Sequence, residues 1–74
     1  MIKEFEFTIG LGKVKVIYNN EKYGMEHLEF HGKAISETGF RSHFFNIDEL
    51  NGRTIEQYIK DIAIQLNKEL GRLK

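Results

Sequence analysis

The chain has no cysteine and no proline. Without cysteine there is no disulfide and no thiolate zinc site, a composition suited to a reducing compartment. It has no excess charge of either sign, since eleven Lys plus Arg balance eleven Asp plus Glu. Net charge therefore indicates neither a general grip on nucleic acid nor an acidic decoy surface. No long apolar run occurs: Met1-Ile2-Lys3-Glu4-Phe5-Glu6 alternates, which excludes a secretory signal there, and no stretch is long enough to span a bilayer. A cytoplasmic protein with no membrane association is expected. No repeat, low-complexity tract or linker divides the 74 residues, so one domain over 1–74 is expected, near the lower size limit for unaided folding.

What is present is alternation, then a helical stripe. Phe5, Phe7 and Ile9 alternate with Glu4, Glu6 and Thr8, and Val14, Val16 and Tyr18 alternate with Lys13, Lys15 and Ile17. A two-residue turn at Leu11-Gly12, setting Ile9 opposite Val14, would turn both apolar faces the same way and leave Glu6 diagonal to Lys15. Asn19–Gly24 is rich in turn formers and leads into a third strand, with Tyr23 expected to pack over a core edge. Near the end, Ile55, Tyr58, Ile59, Ile62, Ala63, Leu66 and Leu70 follow helical spacing. Thr54 and Gln57 suit a capping box, and Gly71 suits a left-handed C-terminal residue. Before this helix, Asn46–Gly52 reads as a short turn that tucks Leu50 inward and ends at Gly52. The expected fold is α+β, a four-stranded antiparallel sheet of two hairpins with one C-terminal helix on one face, ββββα. Strand order is open.

The middle of the chain carries the chemistry. In residues 25–31, Leu28 and Phe30 fall on one side and His27, Glu29 and His31 on the other. In residues 40–45, Phe40, Ser42 and Phe44 fall on one side and Arg41, His43 and Phe45 on the other. Pairing these strands with the more apolar sides inward sets even positions opposite even ones, with Leu28 facing Ser42 or Phe44. The three histidines, Glu29, Arg41 and Phe45 would then share one solvent-facing surface. With Glu37 of the intervening loop, the candidate binding residues are His27, Glu29, His31, Glu37, Arg41, His43 and Phe45. Protonation of histidines gathered beside Arg41 would then weaken stability or association between pH 7 and 5.

Several chemistries fail on spacing. On an extended strand His27 and His31 stand roughly 13 Å apart, too far for one ion. His43 with Glu29 and one further histidine remains as a ligand set, but no metal and no cofactor is assigned. H-x-x-x-H lacks the glutamate of a zinc-protease helix, because Leu28 follows His27. Gly32–Gly39 contains Gly, Lys, Ser and Thr in the wrong order for a phosphate loop and is followed by a strand.

The string Ile35–Phe44, I-S-E-T-G-F-R-S-H-F, resembles small accessory proteins carried by plasmids and other mobile elements of phage type. Over those ten residues the resemblance implies an accessory role, with Glu37–His43 as the working part, and brings no activity. The leading expectation is a non-catalytic binding or regulatory protein whose exposed sheet face and 32–39 loop meet another protein or a second copy. One alternative is single-stranded nucleic-acid binding, with Phe45 stacking a base and Arg41, His43, Lys13 and Lys15 meeting phosphates, opposed by Glu4, Glu6 and Glu29. The other is a small enzyme using His43 with Glu29, or with Ser36 or Ser42. The last pairing suffers because Ser42 and His43 point to opposite faces.

Overall fold

A computed structural model describes residues 1–72. Strands β1 (Ile2–Ile9), β2 (Gly12–Asn19), β3 (Glu26–His31) and β4 (Phe40–Phe45) form one antiparallel sheet in the order β1-β2-β3-β4. A 3₁₀ turn at Ile47–Leu50 leads to helix α1, Ile55–Arg72. This is the expected ββββα arrangement, with the two hairpins side by side in chain order.

The helix buries its stripe on one sheet face. Tyr58, Ile59 and Ala63 close over Val14, Val16, Tyr18, Leu28 and Phe30, with Ile35 and Phe45 completing the cluster. Each large side chain taken fully from water contributes about 1.5–3 kcal/mol, so this cluster is the principal source of stability. Phe5, Phe7 and Ile9 of β1 are only half-buried, because β1 is an edge strand with no neighbour beyond it. Ile64 stays exposed beside them, on a shallow groove shared with Phe7, Ile9 and Lys60. On the outer side of α1, Glu56 and Lys60 pair at 3.2 Å, worth about 0.2–0.5 kcal/mol on an exposed helix.

Several local expectations are corrected. The first hairpin turns at Gly10-Leu11 and pairs Ile9 with Gly12, so its register is shifted by two residues from the expected one. Gly10 has a φ of 61°, the left-handed geometry that such a tight turn needs and that glycine supplies without strain. Glu6 stands directly opposite Lys15, and the diagonal ion pair is Glu4–Lys15 at 3.5 Å. Thr54 Oγ1 accepts the Gln57 N–H at 3.1 Å, but the Gln57 side chain turns to Asp61, so only half the capping box forms. Helix α1 continues through Gly71 instead of ending there. Leu50 does pack against the core, and Asn51, with a φ of 52°, reverses the chain one residue before Gly52.

The largest correction concerns β3 and β4. Leu28 faces His43, Phe30 faces Arg41 and His27 faces Phe44, so odd positions oppose even ones. The connection causes this. Gly32 and Gly39 close the ladder, with the Gly32 N–H donating to the Gly39 carbonyl at 2.9 Å. Between them two successive turns run from Gly32 to Ile35 and from Ser36 to Gly39. The six residues inside that closing pair fix the odd register. Ile35, expected in the loop that meets a partner, is buried in the core, and Asn67 of α1 donates to the Ala34 carbonyl at 2.8 Å. Ile35 and Ala34 thus anchor the 32–39 segment to the core, while Lys33, Glu37 and Thr38 stay exposed.

Candidate functional site

The open face of the sheet is built in rows by the strand register. Across it run Glu4, Ile17, Glu29 and Ser42 in one row, Asn19, His27 and Phe44 in the next, and Glu6, Lys15, His31 and Phe40 in a third. His27 is 4% exposed although no helix covers it. Its ring is covered by Phe44, with centroids 4.5 Å apart, and by Tyr23, at 4.6 Å. Tyr23 and Phe44 meet edge to face at 5.5 Å, a favoured geometry for aromatic pairs. Tyr23 therefore packs on the open face and not over the core edge. Further along, His31 meets Phe40 at 5.3 Å and Glu29 at 3.5 Å. Phe40 and Phe44 remain 45% and 47% exposed. They are the apolar tops of a half-built cluster.

The odd register divides the expected patch. His27, Glu29 and His31 stay together on the open face. Arg41 and His43 turn to the helix side, and Phe45, expected as an exposed ring, is 1% exposed against Tyr58 at 4.7 Å. Arg41 is tolerated there because β4 is an edge strand: the head group extends past α1 into a cleft that it shares with Glu37 and Glu69, as long cationic side chains do. Glu37 is exposed in the loop, where its carbonyl accepts a Lys33 Nζ hydrogen bond at 2.8 Å. His43 is hydrogen-bonded through Nε2 to the Tyr58 hydroxyl at 3.2 Å. Among the described residues no three of His, Asp or Glu converge as metal ligands. The proposed His43–Glu29 pairing is undone because the two side chains lie on opposite faces.

Sequence reasoning missed Tyr23, Phe40, Phe44 and Ser42 as open-face residues. The available signal was the doubled Phe44-Phe45, which permits either parity. Ser42 Oγ lies 2.6 Å from His27 Nε2, and a hydroxyl within reach of an imidazole is the beginning of a nucleophilic site. Here the surrounding strand N–H groups lie in the plane of the sheet, so none is aimed at an oxyanion above the serine. The bond satisfies a buried imidazole.

Burial holds the His43 imidazole below its ordinary value of 6.5; Glu49 opposes this, while Arg41 and His27 add to it. A histidine with a depressed native pKa binds fewer protons folded than unfolded, so its contribution is full above about pH 6.5 and is lost as pH falls from there through the native pKa. Urea midpoints of the wild type are expected to decline between pH 7 and 5, and His43→Gln is expected to flatten that decline. Equal slopes in both proteins would exclude His43 as the cause. Acid sensitivity is thus still expected, but from burial of one histidine under α1 instead of from clustered histidines. Burial, with the Glu26 carboxylate that accepts its hydrogen bond, also pushes the Tyr18 hydroxyl up to about 12.

With the fold and face in place, comparison with known proteins gives a family match. The model described as the KlcB third domain matches residues 2–69, from β1 to near the end of α1, and the chain belongs to that family. No curated protein and no solved structure matches.

Proposed function

We propose that this KlcB third-domain protein is a non-catalytic binding module, an accessory protein of a mobile element, whose protein partner meets the open sheet face at Tyr23, His27, Phe40 and Phe44. Among the described residues no helix is long and apolar enough to cross a membrane, and we place the protein in the cytoplasm, where a cysteine-free chain loses nothing. KlcB is plasmid-associated, which supports the mobile-element setting. The observation that carries the binding role is the aromatic cluster: two rings, Tyr23 and Phe44, packed on a buried histidine, with Phe40 on His31 beside them and, among the described residues, no element of the fold laid over them. Aromatic residues are enriched in interface cores because they bury much area with few rotors to freeze.

The odd register also bears on nucleic acid as a partner. It adds Phe40 and Phe44 to the open face as stacking surfaces, but it removes Arg41 and His43 and leaves Lys13 and Lys15 against Glu4, Glu6 and Glu29. The balance favours protein over phosphate backbone.

Phe44→Asp changes a half-exposed ring, so its effect on stability is expected to stay within about 1 kcal/mol. Immobilised wild type and Phe44→Asp are compared for the proteins they retain from a lysate of the native host. A partner held by the wild type and lost by the variant is expected. Identical retention by both, with both folded, would contradict this reading of the face. Filter binding of single-stranded DNA and RNA at low and high salt checks the other assignment, with no salt-sensitive binding expected.

A further inference from the structure

The sheet has two edges, β1 and β4. The β1 edge is studded with Lys3, Glu4 and Glu6, the charged decoration that keeps an edge from pairing. β4 is protected in a different way. The Gly32–Gly39 bond sets the phase of the β3–β4 ladder, so alternate pairs 30/41, 28/43 and 26/45 are the hydrogen-bonded ones. The backbone groups of Phe40, Ser42 and Phe44 therefore point away from β3, to the outer edge.

Two of the flanking outward positions are already occupied. Ser36 Oγ both receives the Phe40 N–H at 3.0 Å and donates to the Phe40 carbonyl at 2.8 Å. At the other end the Asn46 N–H donates to the Glu49 carboxylate at 2.7 Å, and the Asn46 carbonyl accepts the Glu49 N–H at 2.9 Å. Between these stops, among the described residues, no loop or side chain reaches the N–H and C=O groups of Ser42 and Phe44. The edge is open for one short window, with exposed Phe44 on top of it.

We propose that this window pairs with itself: β4 joins β4 of a second copy, antiparallel, about a two-fold axis at His43. The proposal rests on the reading of this region as a protein-contact surface and names the partner. An isologous contact must be self-complementary. Centring the axis on His43 sets Ser42 opposite Phe44 of the second copy and Phe44 opposite its Ser42, which uses all four open backbone groups. The two exposed Phe44 rings become diagonal neighbours on the continuous open face. Moving the axis to Ser42 would set Phe40, already engaged by Ser36, opposite Phe44, and would bring Arg41 against His43. Moving it to Arg41 would set two arginines face to face. The His43 axis instead puts Arg41 opposite Phe45 and sets the two His43 rings face to face, a pair that repels only when both are protonated. The contact is small, so exchange between monomer and dimer is expected to be rapid.

Sedimentation from micromolar to millimolar protein tests this. Ser42→Pro deletes one outward N–H without touching the β3 ladder, since edge strands accept proline where the N–H faces solvent. Ser42→Ala deletes the His27 bond and keeps that N–H. Wild type and Ser42→Ala are expected to dimerise alike, and Ser42→Pro to associate at least about tenfold more weakly. Because the chain has no cysteine, a second measurement is independent of that variant's folding. His43→Cys places a thiol on the axis in a non-hydrogen-bonded pair, where Cα atoms stand about 4.5 Å apart, within disulfide range. It should oxidise to a covalent dimer much faster than Arg41→Cys. A wild type that stays monomeric throughout, unchanged dimerisation of a folded Ser42→Pro, or equal oxidation of the two cysteine variants would overturn the pairing. A monomer that still loses a host protein on Phe44→Asp overturns self-pairing alone and leaves the binding face intact. A Ser42→Pro-sensitive dimer that retains no host protein supports self-pairing and removes the external partner.

Discussion

Phe45→Ala is expected to lower the unfolding free energy by about 3–5 kcal/mol, while Phe44→Ala costs about 1 kcal/mol or less. The two rings are neighbours in sequence and opposites in environment. Phe45 is 1% exposed between Tyr58 and Tyr18, with centroids at 4.7 and 6.3 Å, so truncation leaves a cavity under α1. Phe44 lies on the open face, where its loss uncovers His27 but empties no enclosed space. A chain of this length has total stability on the order of 4–11 kcal/mol. Phe45→Ala should therefore remove a large share of that stability, and Phe44→Ala should not. Urea titrations followed by circular dichroism give both values. Reversed sensitivities would mean that β4 presents its other face to the helix.

Gly32→Ala is expected to cost roughly 2–5 kcal/mol, combining backbone strain with a steric collision. Gly32 has a φ of 146°, and a Cβ added there would lie 2.5 Å from the Lys13 carbonyl oxygen. The obstacle is backbone of the neighbouring strand, which cannot swing aside as a flexible side chain would. The same residue donates the bond to Gly39 that closes the β3–β4 ladder. Its displacement should loosen both Ile35 and the register of β4. Gly10→Ala is the comparison: φ is also positive, at 61°, but nothing lies within 4 Å of the added atom, so only the left-handed backbone cost of about 1–2 kcal/mol is expected. Thermal unfolding of the two variants separates these causes. Equal losses would show that the contact with Lys13 is unimportant.

The sheet and helix were legible because their patterns are redundant. Three apolar positions in each of the first two strands, and seven along α1, agree with one another, so a single ambiguous residue does not shift the result. β4 offered no such redundancy. Phe40 and Phe44 outvoted Phe45 by count, and the count misled because an edge strand half-covered by a helix needs only one large side chain beneath it. Arg41 and His43 could occupy the inner side because their polar ends reach cleft and hydroxyl. The decisive quantity was the parity of the connection, set by two tight turns and buried Ile35. Glycine and serine content marks turns but does not number them. Half of the expected patch, His27, Glu29 and His31, survives because β3 was read correctly. Arg41, His43 and Phe45 left it with β4.

The odd register of β3 against β4 underlies the face, the core and the edge window alike, and nuclear Overhauser contacts between Hα protons read it directly. Such protons approach most closely in the non-hydrogen-bonded pairs of an antiparallel ladder. Strong contacts are predicted for His27 with Phe44, Glu29 with Ser42 and His31 with Phe40. Strong contacts of Leu28 with Phe44 or Ser42 would contradict that register, returning Phe45 to solvent and taking Phe40 and Phe44 off the open face.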